Sequence, residues 1–90
     1  MMRLDQHKII TNPDAKRRGV NWCLENGVNP DSVPLDALVE ILDDQHLEIE
    51  IYDRTAQGLP QWDEQLQRPK LRWLHVKTSR PFPEDLLIEE

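Results

Sequence analysis

The chain has 90 residues, of which 38% are hydrophobic and 31% charged, and its formal net charge is −6 at pH 7. This length predicts a single domain over residues 1–90 with one modest core, and the composition is typical of a folded protein rather than a disordered one. No apolar run approaches the roughly 18 residues of a membrane span, and the N-terminal segment is too polar for a secretory signal. Cys23 is the only cysteine. We therefore exclude an internal disulfide and expect a cytoplasmic protein that does not bind membranes.

Residues 1–11 are expected to form a partly irregular tail, and the helix that follows them has clearly marked ends. Asn12 is a preferred N-cap residue, Pro13 occupies the first helical position, and Asp14 places a negative charge where the helix dipole favours it. Asn26-Gly27 supplies a left-handed stop. The sequence therefore predicts a helix between Asn12 and Asn26.

The faces of this helix differ in chemistry. Its apolar stripe comprises Val20, Cys23 and Leu24, with Ala15, Trp22 and Val28 beside it. Gly19 costs about 1 kcal/mol relative to alanine in a helix interior, which indicates close approach of a neighbouring element. Three consecutive cations, Lys16, Arg17 and Arg18, lie in the first half of the helix, where the dipole disfavours them. We expect at least two of them to face solvent.

The segment 35–42 fits two periodicities. Apolar residues at 35, 38, 39 and 42 fit a helix, whereas those at 35, 37, 39 and 41 fit one face of a strand. A turn-sized polar break at 43–46 and an alternating strand at 47–52 follow. We therefore favour a β-hairpin and keep a second short helix as the alternative. Because two strands alone are marginally stable, a third strand is expected.

That third strand is predicted at Lys70–Thr78, antiparallel to residues 47–52. If paired residue numbers sum to 125, as for 51 and 74, Ile51 faces Leu74 on the buried side. The outer-face pairs are then Tyr52 with Trp73, Glu50 with His75, and Glu48 with Lys77. This register joins aromatic with aromatic and opposite charges with each other. The predicted fold class is α+β, with one N-terminal helix packed on a three-stranded antiparallel meander (αβββ).

Two segments remain outside this core arrangement. Residues 55–69 are long for a structureless loop, and we predict a short helical turn at Pro60–Gln67, because proline favours a helix start and Trp62 lies four residues before Leu66. Prolines at 81 and 83 predict that the C-terminal tail, residues 81–90, is partly irregular.

No residue pattern predicts catalysis, a metal site or a cofactor. His7, His46 and His75 have no partner at ligand spacing, so we expect surface or sheet-face residues. Cys23 lies on the apolar stripe without a catalytic motif, which favours a buried, unreactive thiol. The three glycines are isolated and form no phosphate-binding loop. We therefore expect a protein that is not an enzyme and has no cofactor.

Exposed aromatic residues are typical of protein-binding surfaces. The leading hypothesis is a noncatalytic interaction protein, monomeric or homodimeric, that binds a protein partner through its outer sheet face and the 56–69 loop. The expected anchors are Tyr52, Trp62 and Trp73, with Glu48, Glu50 and Lys77 setting the orientation of the partner. For Trp62 the alternative is a lid that folds back over the core.

The distribution of charge supports two alternatives. A nucleic-acid-binding module would use the cations of the helix and of the last strand, namely Lys16, Arg17, Arg18, Arg68, Lys70, Arg72, Lys77 and Arg80. The acidic overall balance opposes such binding, and the strand cations could instead neutralise the acidic strand beside them. Residues 35–66 hold nine acidic residues and one basic residue, a net charge of −8. The third hypothesis is therefore an acidic DNA mimic that occupies the basic groove of a nucleic-acid enzyme.

The first half of the chain also carries a family resemblance. The positions concerned are Lys16-Arg17-Arg18, Val20, Trp22-Cys23, Asn26-Gly27-Val28, Pro30 and Val33-Pro34. This pattern resembles small proteins of actinobacteria and their bacteriophages, in which an Arg-rich helix precedes an acidic hairpin and a basic strand. The resemblance covers roughly residues 13–80 and implies the αβββ order, a cytoplasmic setting and an accessory protein of a phage or mobile element. It implies no catalytic residue, and the chain departs from the pattern at 56–69.

Overall fold

The structure, a computed structural model, describes all residues from 1 to 90. It is an α+β fold with two helices and a five-stranded antiparallel sheet. The elements are β1 (Met2–Leu4), α1 (Gln6–Thr11), α2 (Pro13–Glu25), β2 (Leu38–Ile41), β3 (His46–Tyr52), β4 (Trp62–Asp63), β5 (Arg68–Pro69), β6 (Leu71–Lys77) and β7 (Leu87–Glu89). Short 3-10 turns occur at Pro30–Ser32 and Glu84–Leu86. The sheet order is β6-β3-β2-β1-β7, and β4 and β5 form a separate hairpin.

The helix predicted between Asn12 and Asn26 is confirmed as α2. The Asn12 side-chain oxygen accepts hydrogen bonds from the backbone N–H groups of Asp14 and Ala15, at 3.0 and 3.2 Å. Gly27 follows the C-terminal cap with φ of +73°, a left-handed conformation that glycine adopts without steric cost. The capping residues read from the sequence therefore set both ends of α2.

The buried face of α2 is formed by Ala15, Trp22 and Cys23. Leu24, which was placed on the apolar stripe, is instead 64% exposed. A Cβ atom added at Gly19 would lie 3.6 Å from a Leu86 methyl group, which is an ordinary van der Waals distance. A neighbouring element does approach Gly19, as expected, but it leaves room for a methyl group.

Residues 38–41 form a strand, which decides between the two interpretations of 35–42 in favour of the hairpin. The predicted partners 47–52 and 70–78 also lie side by side as β3 and β6, but their register is wrong by two residues. Paired numbers sum to 123, as in Ile49 with Leu74, Glu48 with His75, Glu50 with Trp73 and Tyr52 with Leu71. Because side chains alternate with a period of two, this shift keeps each residue on its predicted face and changes only its cross-strand partner.

The sheet is larger than the predicted three-stranded meander, because both chain ends add a strand. β1 pairs with β2 and β7 pairs with β1. The expectation of partly irregular tails at 1–11 and 81–90 is wrong over these strands and over α1. Phe82, Leu86 and Leu87 are buried. Their burial gives a physical reason for the order of this segment, since apolar area removed from water stabilises it against fraying.

Residues 53–70 form two small turns instead of the helical turn predicted at Pro60–Gln67. In the first, Arg54 and Pro60 form an isolated antiparallel β-bridge, and Gly58 has φ of +81°. The second joins β4 to β5, and the Asp63 side chain accepts hydrogen bonds from the N–H groups of Gln65 and Leu66. Such a side-chain-closed turn competes with helix formation. This explains why the helical prediction is wrong.

One hydrophobic core joins the helices to the face of the sheet that they cover, which we call the inner face. It contains 15 buried residues, with Val39, Ile49 and Leu86 the largest that are fully enclosed. Trp22 packs edge-on against Phe82, with ring centroids 4.8 Å apart. We call the opposite face of the sheet, which carries no helix, the outer face.

Candidate protein-docking surface

Only Lys70 separates β5 from β6, and we call the run from Arg68 to Lys77 the long strand. At the junction, Lys70 donates its N–H to the carbonyl oxygen of Gln61, at 3.0 Å, and accepts a hydrogen bond from the N–H of Asp53, at 2.8 Å. Both backbone groups of a residue in a strand point to the same side. The short strand β4 therefore lies on the same side of the long strand as β3, beyond the end of β3.

This continuation places two tryptophans on one face. Trp62 pairs with Pro69 across the small hairpin, and Pro69, Leu71 and Trp73 alternate along the long strand. Because cross-strand partners share a face and every second residue of a strand does so too, these four side chains lie together on the outer face. We call this set, Trp62, Pro69, Leu71 and Trp73, the tryptophan strip.

Both tryptophans of the strip are exposed to solvent. Trp62 is 53% and Trp73 41% exposed, so the interpretation of Trp62 as a lid over the core is wrong. By contrast, Trp22 is 3% exposed and its indole N–H donates to the carbonyl oxygen of Arg80, at 3.0 Å. Neither Trp62 nor Trp73 donates an indole hydrogen bond within the protein. Large aromatic side chains that are unused internally are typical of binding hot spots.

Two exposed leucines that sequence reasoning did not select lie in the same excursion. Leu59 is 63% and Leu66 58% exposed, each in one of the two turns between Asp53 and Lys70. A signal was present in the sequence, because both are large apolar residues inside an otherwise polar segment. The predicted helical turn obscured this signal, because it placed Leu66 one helical turn after Trp62 and so beside it.

The charged residues predicted to orient a partner lie on the outer face, but one of them has an internal role. Glu48 and Lys77 face His75 and His46 across the β3–β6 ladder. Glu50 instead accepts a hydrogen bond from the N–H of Leu38, at 2.9 Å. One oxygen of its carboxylate therefore accepts the backbone N–H at the first residue of β2.

Tyr52 lies beside the tryptophan strip, but its cross-strand partner differs from the predicted one. It faces Leu71 instead of Trp73 and is half-buried. Tyr52 also borders a cleft of about 430 Å³ between the helices and the inner face, where Val20, Val33 and Leu35 lie near the mouth. The floor of this cleft is formed by core residues with almost no exposed surface, among them Ile49 and Leu86. The cleft therefore has the character of a groove at the edge of the core.

The cations proposed for nucleic-acid binding divide between the helix layer and the edge of the sheet. Four of them form internal ion pairs: Arg17 and Arg18 with Asp14, Arg18 also with Asp85, Arg72 with Asp53, and Arg80 with Glu25. Lys16, Arg68, Lys70 and Lys77 have no carboxylate within ion-pair distance. Asp14 and Asp85 thus account for two of the three helix cations.

Asp85 is the centre of the strongest charge cluster. Arg18 donates two hydrogen bonds to its carboxylate, at 2.9 and 2.8 Å, and Lys8 donates one at 3.1 Å. The hydrogen bonds from Arg18 and then Lys8 hold the pKa of Asp85 well below its usual range. This cluster joins α1 and α2 to the 3-10 turn before β7 and has the geometry of a structural contact.

The one thiol of the chain lies in the core. Burial raises the pKa of the Cys23 thiol to about 11, so the thiol stays protonated at neutral pH and is a poor nucleophile. No group of three or more His, Cys, Asp and Glu side chains is placed to hold a metal ion. His46 and Asp43 form a local pair at 2.9 Å that lies in the β2–β3 turn. No helix combines the length and apolar character needed to cross a bilayer.

Comparison of the chain with protein-family models, with curated proteins and with solved structures finds no match.

Proposed function

We propose that this protein is a noncatalytic interaction module that binds a protein partner through the tryptophan strip and the leucines beside it. The observation that carries the proposal is the pair of exposed tryptophans, Trp62 of β4 and Trp73 of β6, which strand pairing places on the same face. The partner would cover this part of the outer face. In line with the family resemblance, we place the protein among accessory proteins of phages or mobile elements and in the cytoplasm.

Exposed tryptophans of this kind gain free energy when a partner covers them. Burying apolar surface is worth about 25 cal/mol per Å², and tryptophans at the centre of an interface are among the residues whose truncation costs 2 kcal/mol or more. About half of that benefit is still available to Trp62 and Trp73, because they are 53% and 41% exposed. A partner with an apolar patch rimmed by polar groups would gain from this surface.

Affinity capture with purified protein tests the proposal. The bait is the full chain, and the comparison variant carries Trp62→Ala and Trp73→Ala together. We expect the wild-type chain to retain a partner that the double variant binds at least about 30-fold more weakly, which corresponds to about 2 kcal/mol. Affinity is measured by titration once the captured partner has been identified by mass spectrometry and purified.

Leu24→Ala provides the matched control. Leu24 is an exposed apolar residue on α2, away from the outer face, and its loss should leave binding unchanged. Equal binding of the wild-type chain and the double tryptophan variant would contradict the proposal. So would a loss of binding in the Leu24 variant of the same size as that in the double variant.

The nucleic-acid and DNA-mimic alternatives have less support from the arrangement of charges. Several of the required cations are paired internally, as described above, and Asp36, Asp43 and Asp53 of the acidic segment are paired with Arg3, His46 and Arg72. Binding to DNA or RNA would appear as an affinity that falls steeply with added salt. The DNA mimic would appear as competition with DNA for the captured partner.

A further inference from the structure

The strand β6 forms one edge of the sheet, since β3 is its only strand neighbour. Hydrogen bonds from Thr78 N–H to Gln45 and from Asp53 N–H to Lys70 mark the paired positions at the two ends of the β3–β6 ladder. In an antiparallel ladder such pairs alternate with pairs whose backbone groups point away. The outward-pointing N–H and C=O groups therefore belong to Leu71, Trp73, His75 and Lys77.

This edge lacks the structural features that usually block the addition of another strand. β6 has seven residues and no proline, and β3 is the only element that packs extensively against it. Natural edges are commonly shortened, covered or interrupted. Here protection comes only from positive charge, and that protection does not apply to a strand of opposite charge.

The charged residues in and around β6 are all basic. Five cations lie between Arg68 and Arg80, and residues 65–83 contain no acidic residue. Arg72 and Arg80 pair with Asp53 and Glu25 at 3.8 and 3.7 Å, whereas Arg68, Lys70 and Lys77 are without such partners. On its paired side, β6 already lies against the acidic strand β3, where Glu48 and Glu50 face His75 and Trp73.

We propose that the partner adds an extended acidic segment as a sixth strand along the free edge of β6. This inference rests on the proposed function and names the chemistry of the partner: a strand in which carboxylates alternate with apolar residues. Its backbone would bond to Leu71, Trp73, His75 and Lys77, and its outer-face side chains would lie beside the tryptophan strip. Main-chain bonds supply affinity in this mode, and side chains supply specificity. A second copy of the chain is disfavoured, because its β6 would bring the same cations against these.

The probe is a fluorescein-labelled peptide with the sequence of residues 45–53, QHLEIEIYD, which has the acidic and apolar alternation that β6 already accepts from β3. Binding to the full chain is followed by fluorescence anisotropy. We expect saturable binding that weakens at least about tenfold when the glutamates and the aspartate of the peptide are replaced by lysine. Equal affinity for both peptides, or no binding by the acidic one, would overturn the proposal.

His75→Pro tests the edge itself. The N–H of residue 75 points away from β3, and proline is tolerated at such positions of edge strands, so the β3–β6 ladder should survive. We expect the acidic peptide to bind His75→Pro at least about tenfold more weakly than the wild-type chain, whereas His75→Ala, the matched control, binds within about threefold. Undiminished binding by His75→Pro would place the peptide elsewhere and overturn the inference.

Amide hydrogen exchange on the wild-type chain gives a readout that does not depend on a variant folding. Saturating peptide should slow exchange at Leu71, Trp73, His75 and Lys77, whose N–H groups are free, and leave unchanged Arg72, Leu74 and Val76, which β3 already protects. No added protection at the four free positions would overturn the proposal. A concentration-dependent dimer that protects these positions without peptide would replace the acidic segment with a second copy.

The peptide assay does not use the captured partner, so the two ideas can fail separately. If the double tryptophan variant loses the partner while His75→Pro retains both partner and peptide, strand addition is wrong and the interaction surface stands. If the wild-type chain and the double tryptophan variant bind the captured partner equally, the proposed function itself is wrong.

Discussion

Leu86→Ala tests whether the C-terminal segment belongs to the core. Leu86 has no exposed surface and approaches α2 at Gly19. Buried leucine-to-alanine substitutions cost roughly 2.7–5 kcal/mol, because transfer free energy is lost and a cavity remains. For this fully enclosed side chain we expect a loss of about 3 kcal/mol, against a total stability of about 5 to 13 kcal/mol for a domain of this length. Urea unfolding followed by far-UV circular dichroism measures the difference.

The matched control is Leu24→Ala, the same substitution at a side chain that is 64% exposed. Alanine is at least as good a helix former as leucine, so the control should change stability by less than about 0.5 kcal/mol. In a domain of this size the Leu86 variant should also lower Tm by about 12 °C or more. A loss below about 1 kcal/mol for Leu86→Ala, or one equal to that of Leu24→Ala, would show that the segment does not pack as described.

Three further substitutions test local features of the fold. Gly19→Ala should raise the free energy of unfolding by about 1 kcal/mol, because it removes the helix penalty of glycine and places a methyl group at contact distance from Leu86; a loss in urea unfolding would contradict the packing. Asn12→Ala should cost about 1 kcal/mol by removing the N-cap bonds, with no loss expected if the cap were irrelevant. Asp85→Asn should lower Tm at neutral pH, because Arg18 and Lys8 lose their ion pairs with this carboxylate. The depressed pKa of Asp85 means that this stabilisation is complete above its unfolded pKa of about 3.9 and is lost as the pH falls toward the folded pKa. Melting curves from pH 7 to strong acid should therefore converge for wild type and variant, and a constant gap would refute the assignment.

Local signals made α2 predictable. The cap residue Asn12, the proline after it and Asn26-Gly27 each act through groups within a few positions of themselves, and the structure shows the corresponding bonds and left-handed φ. The strands β3 and β6 were predictable for the same reason, because alternation of apolar and polar residues is a local property.

The register of β3 and β6 was less accessible. Alternation specifies the face of each residue but does not distinguish a register from one shifted by two, since both bury the same side chains. The preference for aromatic and charge pairing favoured Tyr52 with Trp73. In the structure, Asp53 instead pairs with Lys70, and Glu50 faces Trp73.

The terminal strands and the candidate site depend on contacts between distant parts of the chain. β1 and β7 have three residues each, too few for a periodicity to be detected, and they pair because the chain ends meet beside β2. Trp73 was predicted as an anchor from its place on the outer sheet face, and Trp62 from its place in the 56–69 loop. Their common face follows from the junction at Lys70, where the long strand changes partner from β4 to β3.

Nuclear magnetic resonance of the three indole N–H groups is the most direct test of the docking surface. Each tryptophan gives one side-chain signal, and single Trp→Phe variants assign the signals to Trp22, Trp62 and Trp73. On titration with the captured partner, the signals of Trp62 and Trp73 should shift or broaden, whereas that of Trp22, which is buried and bonded to Arg80, should stay in place. Unchanged signals from Trp62 and Trp73 in a saturated complex would contradict the account.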